Sequence, residues 1–485
     1  MTSPPETAAP ITAVTRQARR SLQVAALLLG CLGVACKEPP RRILRVVKAL
    51  DDGTALVLWK DHDGHGMGRV DLDGRLTWST RLSGRAQALS TRLGISVHDR
   101  VVGIRELRNR WSAHPSANPI AILEGFSLED GRRVWEVALV TDAEELHDGV
   151  GLHSYVTNVR TPSTWGEVVT LDGISELVHI DPASGRVLGR VKLPIRSFEA
   201  PMVVGERIVL HSTLDAFLFG ATVAPLSFPS MGRGCIVQND YVRIVDGPSG
   251  SQLVSWPLAD PARAVVVELG IDYRRVTTQF TSIDGCAHYK DQIVVQTTGN
   301  SNGASQLRVL DRSGNQLGEL SLEGRISHDS GKVHGSFPEH SNLGGTLTRF
   351  VPYLILDRRG VGRLVMVDLE RRAVVWSTEV DTSASVFHVK NLWYLVVGYE
   401  NPTIAVVNGD DGTLDGAVRI DGAPDITPTN VRGGSLWVAR NHDWHPATEM
   451  PMARLDATTL EPRHVSDLIG IHDAMNDPQW SGLPR

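Results

Sequence analysis

The sequence lacks most of what would mark an enzyme or a nucleic-acid binder. Its 485 residues contain four cysteines, no two of them adjacent. Lys plus Arg number 49 against 55 Asp plus Glu, a net charge of −6, so the basic excess that follows a phosphate backbone is missing. Mean hydropathy is −0.10 and a single apolar run, Leu22 to Val34, stands alone, which excludes a chain of several membrane-spanning helices. Beyond that run no sustained i, i+3, i+4 apolar stripe occurs, so helices are not expected to build the core. No Gly-x-Ser-x-Gly elbow presents a nucleophilic serine. Gly232-Arg233-Gly234 and Gly344-Gly345 are turn glycines, without the Lys-Ser/Thr of a phosphate loop.

Glycine, at 46, and tryptophan, at 11 against 9 Phe and 7 Tyr, are what the chain has in quantity. Glycine closes tight turns and large aromatics fill the space between sheets, a combination that points to an all-β chain. At roughly 150 residues per domain, the length fits about three ordinary domains or one large repetitive one.

One short pattern recurs from end to end. An apolar strand runs into an acidic residue, a turn carrying Gly follows, and a second strand ends in Trp or an aliphatic residue. The clearest copy is Leu177-Val178-His179-Ile180-Asp181-Pro182-Ala183-Ser184-Gly185-Arg186-Val187-Leu188; others include Asp71-Leu72-Asp73-Gly74 with Trp78, Glu129-Asp130-Gly131 with Trp135, and Val367-Asp368-Leu369 with Trp376. Asp or Asn opening a turn accepts a backbone N–H two residues on, and Gly supplies the positive φ that closes it. Alternation such as Leu307-Arg308-Val309-Leu310 fits half-buried strands. One hairpin cannot bury its large residue alone, so copies must stack. Eight copies start near residues 68, 124, 177, 241, 307, 365, 405 and 453.

These residues resemble the quinoprotein-type β-propeller repeat, named after pyrroloquinoline-quinone dehydrogenases. Asp181, Asp246, Asp368, Asn408 and Asp456 map to its acidic position. Gly74, Gly131, Gly185, Gly250, Gly314 and Gly412 map to its glycine, and Trp78, Trp135 and Trp376 to its tryptophan. The resemblance implies a single β-propeller of four-stranded blades, eight by the repeat count with seven as the alternative, in which these residues dock one blade on the next. It does not carry over the dehydrogenase chemistry, because the vicinal cysteine pair of that class is missing. A ring would close by a strand near Ile43 to Val47 pairing with the last repeat near Ala453 to Leu460, leaving the segment after Leu468 as a surface tail.

The N-terminus reads as an address. Arg16, Arg19 and Arg20 precede the apolar run, and Leu28-Leu29-Gly30-Cys31 and Gly33-Val34-Ala35-Cys36 both resemble a bacterial lipobox. The first fits better in its residues. The second lies directly before the polar Lys37-Glu38-Pro39-Pro40. The expected organisation is a signal segment over 1–36, a polar tether over 37–44, the propeller over 45–470 and a C-terminal tail over 471–485. In an oxidising compartment Cys235 and Cys286 are a candidate disulfide, with two free thiols as the alternative.

Three histidine groups stand out, and each has a plainer reading. Asp61-His62-Asp63-Gly64-His65 reads as a hairpin turn before it reads as a metal site, and His442-Asp443-Trp444-His445 lacks the third and fourth ligands of a zinc centre. His328, His334 and His340 lie on a long polar excursion, the kind of loop on which propellers carry function. No catalytic, cofactor-binding or metal-binding residue is assigned and no cofactor is expected. The resulting expectation is a monomeric, lipid-anchored envelope propeller that presents a face to an envelope protein. In plan it resembles the propeller lipoprotein of the outer-membrane β-barrel assembly machinery. The alternative is a quinoprotein-like oxidoreductase, or another enzyme, using the central funnel.

Overall fold

The computed structural model describes residues 41–82, 95–98, 100–107, 121–140, 153–157, 165–171, 174–193, 202–204, 207–211, 216–219, 223–226, 234–269, 286–297, 304–326, 347–357, 361–380, 384–398, 400–422, 426, 430–440, 451–467 and 469–485. Apart from one 3-10 turn at Pro261–Arg263, all the regular structure among them is β. The chain is a β-propeller built from antiparallel four-stranded meanders. Within each sheet the strands are called a to d in chain order. The sheets span 42–81, 95–140, 153–193, 202–226, 234–268, 286–322, 325–380, 385–420 and 431–465, numbered 1 to 9.

Nine sheets among the described residues exceed the eight repeats read from the sequence. The additional one is sheet 4, whose c and d strands, Ala216–Phe219 and Val223–Leu226, are joined across Gly220-Ala221-Thr222 without an acidic opening residue. The fourth repeat, in sheet 5, is also out of phase. Asp246 and Gly250 flank the turn between strands b and c of sheet 5, with Gly247 paired to Gly250, whereas the other recognised copies lie between c and d.

The hydrophobicity of each strand follows its place. Middle strands are covered on both faces and read as unbroken apolar runs, as in Leu392–Val397 and Thr403–Asn408. Outer strands alternate, as in Gln316–Leu322 and Ala373–Val380. The core is therefore a series of layers between neighbouring sheets. One layer joins Trp78 and Leu58 of sheet 1 to Phe126 of sheet 2; another joins Val389 and Ile404 of sheet 8 to Leu436 and Leu455 of sheet 9. First strands of neighbouring sheets lie side by side, Ile95–His98 beside His153–Thr157 and Gly234–Val237 beside Cys286–Tyr289.

The ring closes by face packing and not by strand exchange. Arg42–Ala49 pairs with Ala55–Asp61 of its own sheet. Ile43, Val46 and Val57 then bury against Trp437, Ala439 and Met452 of sheet 9, and the Trp437 indole N–H donates to the Gly53 carbonyl at 2.8 Å. The expected pairing of 43–47 with 453–460 is thus replaced by an apolar layer.

The segment after residue 468 also differs from a loose tail. Ile471–Asp473 adds a fifth strand to the outer edge of sheet 8, with Ile471 opposite Ile420 and Asp473 opposite Val418. The chain then lays Trp480, fully buried, into the layer that holds Trp376, Val380 and Leu414. Turn-rich composition hid a strand only three residues long. Trp480→Ala should destabilise the protein by about 3–5 kcal/mol, as truncations of buried aromatics do. Denaturant midpoints of this variant and of a chain ending at Asp473 should both fall; unchanged midpoints would show the segment to be dispensable.

Candidate functional site

An antiparallel meander sends its a–b and c–d turns to one face and its b–c and d–a links to the other. The first face is tightly built. Its c–d turns open on an Asx motif: the Oδ1 atoms of Asp71, Asp181, Asp311, Asp368 and Asp456 each accept the N–H two residues on, at 2.8–3.2 Å, and Asn408 does the same at 2.9 Å. Each turn contains a left-handed residue: Gly74, Gly131, Gly185, Gly314 and Gly412, but Arg372 in sheet 7 and Leu460 in sheet 9.

Between these turns and the preceding sheet runs a consistent exchange of size. In seven sheets a bulge follows the c–d turn and sets one d-strand residue towards the next sheet: Trp78, Trp135, Gly189, Gly318, Trp376, Gly416 and His464; at Gly189 an added Cβ would meet no described atom within 4 Å. Trp78 lies over Gly131, where an added Cβ would come within 2.3 Å of the ring, and its N–H donates to the Leu128 carbonyl at 3.0 Å. Trp135 lies over Gly185 and donates to the Pro182 carbonyl at 2.8 Å. Trp376 donates to the Gly412 carbonyl at 3.1 Å, and His464 lies over Gly74. Where the turn residue is large, the docking residue is Gly: an added Cβ at Gly318 would meet the Arg372 side chain, and one at Gly416 the backbone at Thr459 and Leu460. Sheet 5, without the bulge, sets Val267 against Gly314.

Charged groups on the same face tie sheets together. Arg432 of sheet 9 holds Asp51 of sheet 1 through Nε at 2.6 Å and Nη2 at 2.8 Å. Arg432, with Lys48 and Lys390 nearby, keeps the Asp51 carboxyl below the usual range despite partial burial. Arg69 bonds Asp52 and Thr54 and reaches the Leu128 carbonyl of sheet 2 at 3.1 Å. Above sheets 6 and 7, Glu370 accepts from the Tyr289 hydroxyl at 2.8 Å and from Lys290 at 2.7 Å, while Arg349 joins Glu370 to Asp368. The Lys290 ammonium, then the Tyr289 hydroxyl, hold the Glu370 carboxyl low. Burial pushes the Asp368 carboxyl up, but Arg349 and the N–H groups of Arg371 and Glu370 more than offset it, so it lies below the usual range.

Other residues singled out in the sequence fall as follows. Asp61-His62-Asp63-Gly64-His65 is the b–c hairpin of sheet 1: Asp61 Oδ1 accepts the N–H groups of Asp63 and Gly64, both at 2.9 Å, and Oδ2 pairs with Arg81. Burial lowers the His65 imidazole. Among the described residues no three His, Cys, Asp or Glu side chains come together as a metal site. Cys235 and Cys286 stand on the first strands of neighbouring sheets 5 and 6, opposite Val242 and Val295. Cys31, Cys36, His442, His445, His328, His334 and His340 lie outside the described residues; the last three belong to the connection between strands a and b of sheet 7. The sequence reading missed Trp437, Tyr394, Arg432 and Trp480, which hold sheets together from positions outside the repeat motif.

Fold and junctions together define a β-propeller whose sheets dock through a recurring turn-and-bulge unit. The family model described as outer membrane protein assembly factor BamB matches residues 121–224, which cover the last two strands of sheet 2, sheet 3 and most of sheet 4. Among solved structures, the chain is similar to the dihydro-heme d1 dehydrogenase NirN at 11% identity, with 80% of this chain and 74% of that chain covered and a TM-score of 0.44. It is similar to BamB from Moraxella catarrhalis at 11% identity, with 73% and 92% covered and a TM-score of 0.38. For apo AztD from Citrobacter koseri the identity is 11%, the coverages 72% and 94%, and the TM-score 0.37. No curated protein matches the sequence.

Trp135→Ala and Trp376→Ala should each cost about 3–5 kcal/mol, read as a lower denaturant midpoint; a midpoint equal to that of the parent would contradict the docking geometry. A second test uses Asp368→Asn, which keeps the turn, as Asn408 does in sheet 8, but removes the charge facing Arg349. A carboxyl whose folded pKa is depressed contributes stability above its unfolded value of about 3.9 and loses it as pH falls through the folded value. The variant should therefore be less stable than the parent from pH 8 to 5, and the gap should shrink below about pH 4. A gap independent of pH would rule out an electrostatic origin.

Proposed function

We propose that the chain is an exported, lipid-anchored propeller of the cell envelope that acts as an interaction scaffold, with no catalytic step of its own. The match of residues 121–224 to a family model named for an outer-membrane assembly factor carries this reading. The tight-turn face supports it. Described charged groups there, such as Arg432 with Asp51, Arg69 with Leu128 and Glu370 with Tyr289 and Lys290, hold neighbouring sheets together, so what the molecule offers at these junctions is a rigid surface.

Attachment would come from a lipid on Cys31 or Cys36, after removal of the basic and apolar leader. The propeller would then sit on the periplasmic side of the outer membrane or at the cell surface and hold an envelope protein through one face. Expressed with its own leader, the protein should fractionate with membranes and, in mild detergent, co-purify with an envelope protein. The double variant Cys31→Ser, Cys36→Ser should move it to the soluble fraction. If the double variant stays with the membrane, the lipid anchor is wrong; if the parent purifies alone after crosslinking in intact cells, the scaffold role is wrong.

A further inference from the structure

Beyond residue 36 the chain has two cysteines, Cys235 and Cys286. Cys235 stands on the first strand of sheet 5, Gly234–Val237, and Cys286 opens the first strand of sheet 6, Cys286–Tyr289. These inner strands lie side by side but belong to different sheets, so no ladder of hydrogen bonds joins them.

Register fixes the sheet face on which each cysteine stands. Cross-strand partners in an antiparallel pair share a face, and successive residues of a strand alternate between faces. Cys235 is opposite Val242, which buries in the layer between sheets 5 and 6 together with Ile293, Val295 and Leu310. Its neighbour Ile236 buries in the other layer, with Val209 of sheet 4. Cys286 is opposite Val295, so it belongs to the layer between sheets 5 and 6 as well. Its neighbour Ala287 packs instead on the layer that holds Leu354 and Leu364 of sheet 7. Both cysteines therefore occupy the two sheet faces that pack against each other. Counted back from the a–b turns, which begin after Val237 and Tyr289, Cys235 is the third residue and Cys286 the fourth. The offset is one residue, about 3.3 Å along the strands. That is less than the roughly 4.4–6.8 Å that a disulfide spans between Cα atoms.

We infer that Cys235 and Cys286 are joined by a disulfide that clasps sheets 5 and 6 through their inner strands. The oxidant is a small or protein disulfide of an oxidising compartment. One cysteine thiolate attacks it to form a mixed disulfide, and the other then attacks the cysteine sulfur of that bond. One S–S bond forms in the propeller and one breaks in the oxidant, which leaves as two thiols carrying the two electrons and two protons. The link closes a long loop and so limits the freedom of the unfolded chain. It adds a covalent tie where the ring otherwise relies on the apolar layer of Val242 and Val295. The inference rests on the exported reading, because such bonds persist in oxidising compartments.

The test uses the full chain carrying Cys31→Ser and Cys36→Ser, which leaves Cys235 and Cys286 as its thiols. The protein is reduced, then equilibrated with oxidised and reduced glutathione at a series of ratios. Remaining thiols are trapped by alkylation and mapped by peptide mass. Both thiols should disappear together, with the two peptides linked within one monomer. The oxidised protein should melt at least about 3 °C above the reduced one. Adding Cys235→Ser should abolish that difference. Stable glutathione adducts, a link between two copies, or two alkylated thiols at every ratio would each overturn the inference. A linked pair with an unchanged midpoint overturns the clasp. If the pair links in buffer while protein alkylated in intact cells carries both thiols free, the placement of the cysteines stands and the exported reading fails.

Discussion

A side chain large enough to bridge two sheets needs an opposite residue small enough to receive it, and the ring depends on that match at most of the described junctions. Indole meets glycine at Trp78–Gly131 and Trp135–Gly185; the order reverses at Gly318–Arg372 and Gly416–Leu460. The glycines of the first kind have φ near +70°, a region that costs an L-residue about 1–2 kcal/mol, so the turn and the dock favour the same residue. In the second kind Arg372 and Leu460 accept the left-handed conformation; the Arg372 side chain fills the space that Gly318 leaves open, and Gly416 admits the main chain at Thr459 and Leu460. Each tryptophan then spends its N–H on a carbonyl of the neighbouring turn, so burial leaves no donor unsatisfied there.

The division of labour around the ring follows from this. Layers of apolar side chains hold adjacent sheets, and ion pairs such as Arg432–Asp51 fasten the last sheet to the first where no strand is shared. Such exposed pairs contribute roughly 0–1 kcal/mol each, so the apolar layer and the buried indole of Trp437 dominate closure. The C-terminal segment is a second fastening, placed between sheets 7 and 8 at the rim. Among the described residues the charged junctions of the tight-turn face are engaged in structural contacts, so the scaffold reading looks for partners first at the opposite face and the outer edges.

Much of the fold was legible because a single local unit repeats. The Asp–turn–Gly–Trp pattern located eight of the nine sheets, and its acidic residue makes the backbone bonds that its chemistry implies. Sheet 4 was silent because the sequence between its last two strands, Gly220-Ala221-Thr222, carries no acidic residue. Sheet 5 was read one strand out of phase because Asp246 to Gly250 mimics the motif at the other end of the sheet. Motif reading finds turns, and a turn alone does not say which strands it joins. The residues that tie distant parts together, Arg432 to Asp51 or Trp480 to the sheet 7–8 layer, carry no local signature, since their partners are set by the closure of the ring.

The size-exchange account makes a claim about coupling that a double-mutant cycle measures directly. At the junction of sheets 6 and 7, Gly318→Trp should by itself destabilise the protein, because the indole meets Arg372; Arg372→Gly should by itself leave a gap. Together the two substitutions recreate the Trp78–Gly131 arrangement. The account predicts a favourable interaction energy of more than about 1 kcal/mol in denaturant unfolding, so that the double variant is more stable than the sum of the singles. Additive losses, within about 0.5 kcal/mol, would contradict it.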